Sequence, residues 1–250
     1  MWHHESTESL ASRFDPPQGF LRLAQPEGSF GAWLRGLPLL PGNPPVQLFN
    51  GAPKQNQQPH AAVLDIDAGT EDLQQCADAI IRLRAEYLFS VHRDRDIVFH
   101  FTSGDKAAWT EWQKGLRPEV RGNRVTWKAA ARPDSSYANF RRYLSTVFRY
   151  AGTLSLSKEL QTVSDPSRVE IGDVFIHGGS PGHAVLVVDV AENDKGERVF
   201  ILAQSYMPAQ QIEILRTVLF PRSPWYTARP SGILETPEWE FQYEELKRFR

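Results

Sequence analysis

Residues 172–210 hold the side chains whose types and spacing are best suited to chemistry. His183 begins an alternating apolar segment that predicts a β-strand, and Gln204 lies near the end of the next such segment. An imidazole at the start of a strand can act as a general base or acid if a neighbouring group sets its tautomer. We therefore interpret His183 as a catalytic base and Gln204 as the residue that orients it or donates to an oxyanion.

The pairing of these two strands decides whether the two side chains meet. A turn over residues 192–196 joins the strands. If the turn centres at residues 194–195, His183 lies opposite Tyr206 and one diagonal step from Gln204. A shift of one residue would send Gln204 to the opposite face of the sheet.

The loop that precedes His183 is a candidate ligand-binding segment. Residues 177–182 contain three glycines and a proline, a composition that suits a tight backbone with room for a ligand. We expect Ser180 to contact that ligand, together with Tyr206 and with Asp189, which alternation places on the same strand face as His183. The plainer alternative is that these polar groups are hydrogen-bonded and inert at the end of a sheet.

Two stretches of this region resemble the NlpC/P60 family and related papain-like peptidases and amidases. They are Gly-Asp-Val-Phe-Ile at residues 172–176 and Gly-His-Ala-Val-Leu-Val-Val at residues 182–188. In that family a Gly-Asp strand precedes the strand that opens with the catalytic histidine, and a polar third residue follows on the next strand. The resemblance implies a papain-like fold, with His183 and Gln204 in those two roles and a peptide or peptidoglycan-like ligand.

The same resemblance does not supply a nucleophile. Residues 135–140, the helix after them and residues 151–156 resemble the family's nucleophile helix, and Tyr137 falls where the family has its cysteine. Tyr137 is then interpreted as a wall of the pocket or a proton donor. Serine hydroxyls can substitute where a base is within hydrogen-bonding reach, and the candidates are Ser135, Ser136, Ser180 and Ser205.

Cys76 is the one cysteine of the chain and a further candidate nucleophile. The apolar spacing predicts that Cys76 lies in the second turn of a helix over residues 71–90, where the helix dipole is weak, so its activation has to come from His183. The spacing also aligns Cys76 with Ile80 and Leu83, as expected for a residue that faces the core. Core packing and catalysis are therefore both open for Cys76.

Composition and charge restrict the class of partner. The chain has 250 residues, with 28 basic and 30 acidic side chains and a formal net charge of −2, so no global basic field attracts nucleic acid. No apolar run approaches the roughly 18 residues that a membrane span requires, and the N-terminus lacks the pattern of a signal peptide. We expect no nucleic-acid partner and no membrane span, and no feature indicates an oligomeric state. The cytoplasm is the default location, with the envelope or periplasm as the alternative if a leader was removed.

Metal binding is a weaker interpretation of the same region. A single cysteine excludes an intramolecular disulfide and a cysteine-rich zinc site. His177 and His183, with Asp173 and Asp189 nearby, offer imidazole and carboxylate ligands for zinc. Their spacing does not require convergence, because the two histidines lie on different strands. We expect no metal and no cofactor.

Hydrophobic periodicity predicts an α+β fold. Helices are expected over residues 29–37, 71–90, 107–114, 137–150, 155–163 and 238–248, and strands over residues 61–66, 97–101, 124–128, 173–176, 183–190 and 199–206. Residues 1–17 are expected to form a flexible lead-in to a single domain over residues 18–250. Its antiparallel sheet is expected to pack on the 137–150 helix in a papain-like half at about residues 134–210, with the N-terminal half as an elaboration.

Nearly the whole chain also resembles an uncharacterised bacterial family, domain of unknown function 4846, which implies no activity. The matching stretches are residues 29–30, 34–35, 54–57, 72–79, 82–87 and 178–210. Together, the two resemblances and the residues of the 172–210 region predict a papain-like hydrolase or amidase that acts on peptide or cell-wall peptide bonds. The alternative is a non-catalytic relative that binds a peptide or glycan in the same pocket.

Overall fold

The computed structural model describes residues 6–219 and 223–250. The helices of this part of the chain are α1 (Leu10–Arg13), α2 (Phe30–Arg35), α3 (Cys76–Ser90), α4 (Trp109–Gln113), α5 (Tyr137–Tyr150) and α6 (Thr153–Glu159). Its strands are β1 (Phe20–Arg22), β2 (His60–Val63), β3 (Val98–His100), β4 (Lys106–Ala108), β5 (Leu116–Arg121), β6 (Arg124–Ala129), β7 (Gln161–Thr162), β8 (Val174–His177), β9 (His183–Asn193), β10 (Arg198–Gln204), β11 (Glu213–Leu215), β12 (Trp225–Thr227), β13 (Ile233–Glu235), β14 (Glu240–Gln242) and β15 (Leu246–Arg248). The structure is therefore of mixed α and β class, as the periodicity predicts.

Nine of these strands form one antiparallel sheet. The order across the sheet is β2-β11-β10-β9-β8-β15-β7, while β1 pairs with β9 and β12 with β10. Every pairing in it is antiparallel. The other strands form the two-stranded sheets β3-β4, β5-β6 and β13-β14. The two longest strands of the large sheet, β9 and β10, lie next to each other at its centre.

Strand β9 is buried on both faces. Ala184 and Leu186 belong to one hydrophobic core, while Val185 and Val187 pack with Phe241 in a second core. Helices α2 and α3 pack on β9 on the first side, and α6 packs on β8. Because both faces are covered, the strand consists of a near-continuous apolar run whose alternate side chains enter different cores.

Helix α3 begins at Cys76, later than the start expected at residue 71. The preceding residues form turns, and the amide N–H of Gln75 donates to Oδ2 of Asp78 at 3.1 Å. Oδ1 of Asp72 accepts from the amide of Ala209 at 2.7 Å, which ties this segment to the loop after β10. Cys76 is therefore the first residue of the helix and does not lie in its second turn.

Helix α5 spans Tyr137–Tyr150, the range that the sequence predicts. The sheet is expected to pack on this helix, whereas α3 makes the main helix contacts to β9 and β10. Phe140 and Leu144 of α5 belong to the same hydrophobic core as the first face of β9. Tyr143 of α5 also contacts the rings of Trp109 and Trp112 in α4.

The expectation of a helix over residues 238–248 is wrong. The segment forms β14, a 3-10 turn and β15, and β15 pairs with β8 inside the large sheet. Phe241 and Leu246 are fully buried in the second core, whereas Glu240 and Gln242 are exposed. Strand alternation and burial therefore outweigh the helix-like pattern of charges.

The expected lead-in contains an ordered element. Residues 1–5 lie outside the described residues, but α1 follows, and Leu10 is fully buried. The amide of Leu10 donates to the carbonyl of Leu37 at 3.0 Å. Across the described ranges, no helix combines the length and the apolar character that crossing a bilayer demands.

Candidate active site

His183 and Gln204 meet at one end of the β9-β10 pair. His183 opens β9 and is 2% exposed, and Gln204 is the last residue of β10. The imidazole Nε2 of His183 lies 2.9 Å from Oε1 of Gln204. The structure therefore brings together the two residues that the sequence places at the centre of a site.

A change of register makes this meeting possible. Near the turn Val199 pairs with Ala191, but the register shifts between Ile201 and Leu202, and Leu202 then pairs with Val187. The shifted register is the one that places His183 opposite residue 206. The rings of His183 and Tyr206 accordingly lie 4.8 Å apart between centroids.

The amide nitrogen of Gln204 lies between two carboxylates. Nε2 donates to Oε1 of Glu213 at 3.0 Å and to Oε2 of Glu238 at 2.8 Å. The same two oxygens accept from Nζ of Lys54 at 2.6 and 2.5 Å. Nε2 of Gln210 donates to the Glu213 oxygen as well, at 3.0 Å. We call these five residues the amide-carboxylate cluster: Lys54, Gln204, Gln210, Glu213 and Glu238.

This cluster fixes the orientation of the Gln204 amide and, through it, the tautomer of His183. An amide oxygen turned toward Glu213 and Glu238 would face two acceptors, so the nitrogen must occupy that side. Oε1 then faces His183 and accepts from a protonated Nε2. The proton on Nε2 leaves Nδ1 of His183 as the basic nitrogen.

Burial lowers the pKa of His183 to about 4. The hydrogen bond that His183 makes to Gln204 raises this pKa, and the positive charge of Lys54 lowers it by a smaller amount. The imidazole is therefore neutral at pH 7 and able to accept a proton.

Helix α3 places Cys76 next to the strand that His183 opens. The helix packs on β9 and β10, and the backbone of Ala184, the residue after His183, acts to lower the pKa of the Cys76 thiol. The charge of Cys76 also acts on the pKa of Tyr206, whose ring contacts His183. A half-buried thiol, an imidazole and an amide thus lie on three adjacent elements.

The pKa of the Cys76 thiol is raised to about 11, first by burial and then by the charge of Asp78. Hydrogen bonds from the backbone of Ala77 and Ala184 act against this rise. Burial also raises the pKa of Asp78, to about 8. At pH 7 both the thiol and the imidazole are therefore neutral in the ligand-free protein.

Ser205 joins the start of α3 to the end of β10. Its buried hydroxyl lies 2.9 Å from the carbonyl oxygen of Gln74 and 3.0 Å from that of Gln210. Gln74 lies two residues before Cys76, and Ser205 directly follows Gln204. These contacts set the position of the thiol relative to the amide, and they occupy the hydroxyl that the sequence offered as a nucleophile.

The loop before His183 rests on the first turn of α6. Oγ1 of Thr153 donates to the carbonyl of Gly179 at 3.2 Å. A Cβ atom at Gly182 would lie 2.5 Å from that Thr153 oxygen and 2.6 Å from the Gly179 carbonyl oxygen, so this approach requires glycine. Ser180 is exposed in the loop, where its side chain is accessible to a ligand.

Three aromatic rings enclose the imidazole. The ring centroids of Tyr206, Trp239 and Phe241 lie 4.8, 5.4 and 5.9 Å from that of His183. Tyr206 and Trp239 are half-buried, whereas Phe241 is fully buried. The first two rings therefore form the accessible part of the wall around His183, and Tyr206 lies where the sequence predicts a ligand-binding residue.

The structure places Tyr137 and Asp189 away from this site. The hydroxyl of Tyr137 donates to Oε1 of Glu86 at 2.6 Å, and Glu86 lies ten residues after Cys76 in α3, about 15 Å along the helix axis. Asp189 is fully buried and accepts from Arg22 and Arg35, each at 2.8 Å. Tyr137 therefore does not occupy the position of a nucleophile beside His183, and Asp189 has a structural ion-pairing role.

The histidines and aspartates considered for a metal have separate partners. His177 pairs with His183 across β8 and β9, but its Nδ1 lies 2.6 Å from Glu245. Asp173 binds Arg248 at 2.6 and 2.8 Å. No group of three or more His, Cys, Asp or Glu side chains with metal-binding geometry occurs within the described ranges.

Sequence reasoning does not connect Lys54, Glu213 and Glu238 as members of one site. Lys54 lies in a polar loop, Glu213 in a short strand and Glu238 in the C-terminal tail, so no local spacing connects them. The charged Glu213 beside the apolar Ile212 and Ile214 is the one local signal, because a charge within a buried strand requires partners.

Comparison with known proteins assigns a family. No curated protein and no solved structure matches the chain. Residues 10–248 match the family described as domain of unknown function (4846). Because this match covers nearly the whole chain, the protein belongs to the family known as domain of unknown function 4846.

Proposed function

We propose that this protein is a cysteine-dependent hydrolase or amidase of papain-like architecture, with Cys76 as nucleophile, His183 as general base and Gln204 as the residue that orients the base. One observation carries the proposal: Cys76 is the first residue of the helix that packs on β9, and His183 is the first residue of that strand. A cysteine at a helix start, a histidine at a strand start and an amide on the next strand form the arrangement expected of such an enzyme.

The proposed reaction has two steps. In the first, Nδ1 of His183 takes the thiol proton as the Cys76 sulfur forms a bond to the substrate carbonyl carbon. The imidazolium then gives that proton to the leaving amine, the C–N bond breaks, and a thioester remains. In the second, His183 takes a proton from water, which attacks the thioester carbon and releases a carboxylic acid and the free thiol.

The pKa values favour proton transfer during attack over a preformed ion pair. The pKa of the Cys76 thiol is about 11 and that of His183 about 4, both shifted mainly by burial. Burial penalises the two isolated charges, so both groups start neutral. The hydrogen bond that Gln204 makes to Nε2 stabilises the imidazolium as it forms.

The first amide of α3 is the proposed oxyanion donor. The N–H groups in the first turn of a helix have no partner within the helix, and they point outward from its N-terminus. The amide of Cys76 occupies such a position. It can therefore stabilise the negative oxygen that develops when the sulfur attacks a carbonyl.

The proposed substrates are peptides, including cell-wall peptides. This assignment rests on the resemblance of residues 172–188 to NlpC/P60 peptidases and amidases. In support, Tyr206 and Trp239 offer accessible aromatic surface beside His183. A second candidate, binding of a peptide or glycan without cleavage, is favoured by the raised pKa of the thiol, which weakens Cys76 as a nucleophile at pH 7.

The test combines thiol labelling with turnover. A peptidyl vinyl sulfone reacts with a catalytic thiol, so the labelling rate of Cys76 is measured by mass spectrometry in the native protein. His183→Ala is expected to slow labelling about a hundredfold, the typical contribution of a general base. Release of free amine from peptidoglycan-derived peptides is measured with the same variants.

His177→Ala is the matched control, because His177 lies directly across from His183 but is exposed and bound to Glu245. It is expected to label and turn over like the unmodified protein. Equal labelling rates in His183→Ala and His177→Ala would contradict the proposed pair. Peptide binding without amine release would support the non-catalytic candidate.

A further inference from the structure

We propose that a second site, separate from the Cys76–His183 pair, binds a small organic anion that combines a phosphate-like head with an apolar body. The site is a cleft of about 700 Å³ between the later part of α3, the β3-β4 hairpin, α6 and the last residues of the chain. That volume lies within the range of small-molecule pockets. Arg84, on the later part of α3, lines this cleft.

Arg84 is a half-buried cation to which no carboxylate in the described residues is bound. Its guanidinium lies against the rings of Phe30, Tyr87 and Phe249, at 4.8, 5.6 and 5.2 Å from their centroids. It makes no hydrogen bond or ion pair with any residue in the ranges 6–219 and 223–250. Burial lowers the pKa of Arg84, with a further contribution from Arg93, whereas the nearby charge of Asp96 acts to raise it. The aromatic rings stabilise the charge but leave its N–H donors unused.

Other shielded arginines of the chain are paired. Arg22 and Arg35 both bind Asp189, and Arg82, two residues before Arg84, binds Asp67. The guanidinium nitrogens of Arg84 are not fully removed from water, so they stay accessible to a ligand in the cleft. The N–H groups of Arg84 lack the carboxylate that its equivalents have, and an external oxyanion would supply it.

The surrounding charges favour an anion. Six basic side chains line the cleft, against two acidic ones, in a chain whose overall charge is −2. Of the acidic residues, Asp96 is bound to Arg93 at 2.6 Å, and burial raises the pKa of Glu159 to about 7. The basic residues are Arg84, Arg93, Arg95, Lys106, Lys158 and Arg250. The local field is therefore positive, which concentrates anions.

The cleft also has an apolar floor. Leu88, Phe99 and Phe101 lie beneath it and are nearly inaccessible to solvent, so the half-buried Val98 and Phe249 supply its accessible apolar surface. An inorganic ion alone would leave this surface unused, whereas an anion with an apolar body would cover it. Planar guanidinium donors match the paired oxygens of a phosphate or sulfonate.

The cleft and the proposed catalytic pair are at different points of α3. Arg84 lies eight residues after Cys76, about 12 Å along the helix axis. A binding measurement at the cleft therefore requires no activity of Cys76, and the inference stands independently of the proposed function.

The experiment uses 8-anilinonaphthalene-1-sulfonate, a fluorescent probe with one sulfonate and an apolar ring system, and inorganic pyrophosphate as competitor. Saturable fluorescence enhancement is expected, and pyrophosphate is expected to displace the probe while sodium chloride of equal ionic strength does not. Arg84→Met keeps most of the apolar stem and removes the charge. It is expected to weaken both ligands about tenfold, the loss typical of one charge-assisted hydrogen bond.

The control is Arg124→Met, an exposed arginine of β6 outside the cleft, which is expected to leave both affinities unchanged. Equal affinities in Arg84→Met and the unmodified protein overturn the proposal, as does equal displacement by pyrophosphate and sodium chloride. If Arg84→Met fails to fold by circular dichroism, the exposed pair Lys106→Met and Lys158→Met carries the test. Together they are expected to weaken pyrophosphate several-fold, and an unchanged affinity overturns the proposal.

Discussion

Oε1 of Gln204 lies 2.9 Å from Nε2 of His183. Two carboxylates fix the orientation of this amide, because they accept hydrogen bonds from its nitrogen, Nε2. Glu213 and Glu238 require the amide nitrogen, so the amide oxygen is directed to the histidine. The imidazole then carries its proton on Nε2, and Nδ1 is its basic nitrogen. A buried charge cluster therefore controls which nitrogen of His183 is basic.

The first prediction concerns this tautomer. Gln204→Leu keeps the volume of the side chain but removes the acceptor of the Nε2 proton. The hydrogen bond that His183 makes to Gln204 raises the pKa of His183. Loss of this bond is therefore expected to lower that pKa from its value of about 4. Nitrogen NMR of the imidazole is expected to show the Nε2–H form in the unmodified protein and a mixture of tautomers in Gln204→Leu. An unchanged tautomer in the variant would contradict the role of Gln204.

The second prediction concerns the charge balance of the amide-carboxylate cluster. Lys54→Met removes the cation that contacts Glu213 and Glu238 at 2.6 and 2.5 Å. It leaves Glu213 fully buried without its counter-charge, and the free energy of unfolding is expected to fall by about 3–5 kcal/mol. Urea denaturation measures this change.

Two further variants make the Lys54 prediction specific. Adding Glu213→Gln to Lys54→Met removes the uncompensated charge and is expected to restore part of the lost stability. Lys128→Met, which breaks an exposed pair with Glu119, is expected to cost less than about 1 kcal/mol. A similar loss of unfolding free energy in Lys54→Met and Lys128→Met would show that the ion pairs of the buried cluster stabilise the protein no more than an exposed pair does.

The helix and strands that depend on local pattern could be predicted from the sequence. Helix α5 has its predicted bounds because Ser136 caps it and its apolar spacing is regular. The contact between His183 and Gln204 was predictable only in part, since strand alternation gives each side chain a face but the turn does not determine the register. The register of β9 and β10 depends on the shift between Ile201 and Leu202, which no sequence feature predicts.

The start of α3 and the composition of the cluster could not be predicted in this way. The segment before Cys76 is held by a tertiary contact, the hydrogen bond that the amide of Ala209 donates to Oδ1 of Asp72. Lys54 and Glu238 reach Gln204 from segments far apart in the chain. Such contacts depend on the finished packing and leave no periodic signal, so a local reading placed the thiol in the wrong turn of the helix.

The third prediction concerns stability and pH. The folded-state pKa of His183 is about 4, below its ordinary value of 6.5, so between these values the unfolded chain binds the proton more readily. Stability is therefore expected to fall as pH drops from about 6.5 to 4, by up to roughly 3 kcal/mol from this residue. His183→Asn lacks the titration, and the difference between its pH–stability curve and that of the unmodified protein isolates the effect. A constant difference across this interval would contradict the lowered pKa.

The fourth prediction concerns the reactivity of Cys76 in the ligand-free protein. Burial and Asp78 raise the pKa of the thiol to about 11, and thiolate is the species that iodoacetamide alkylates. The alkylation rate is therefore expected to rise continuously from about pH 7 to pH 10, below the rate of an unstructured cysteine peptide, whose pKa is about 8.5. Asp78→Asn removes a charge that raises the pKa, so it is expected to speed alkylation near pH 9, above the pKa of about 8 at which Asp78 itself ionises. A plateau between about pH 5 and 8 would instead reveal a thiolate–imidazolium pair with His183, and the thiol would then be activated before substrate binds rather than during attack.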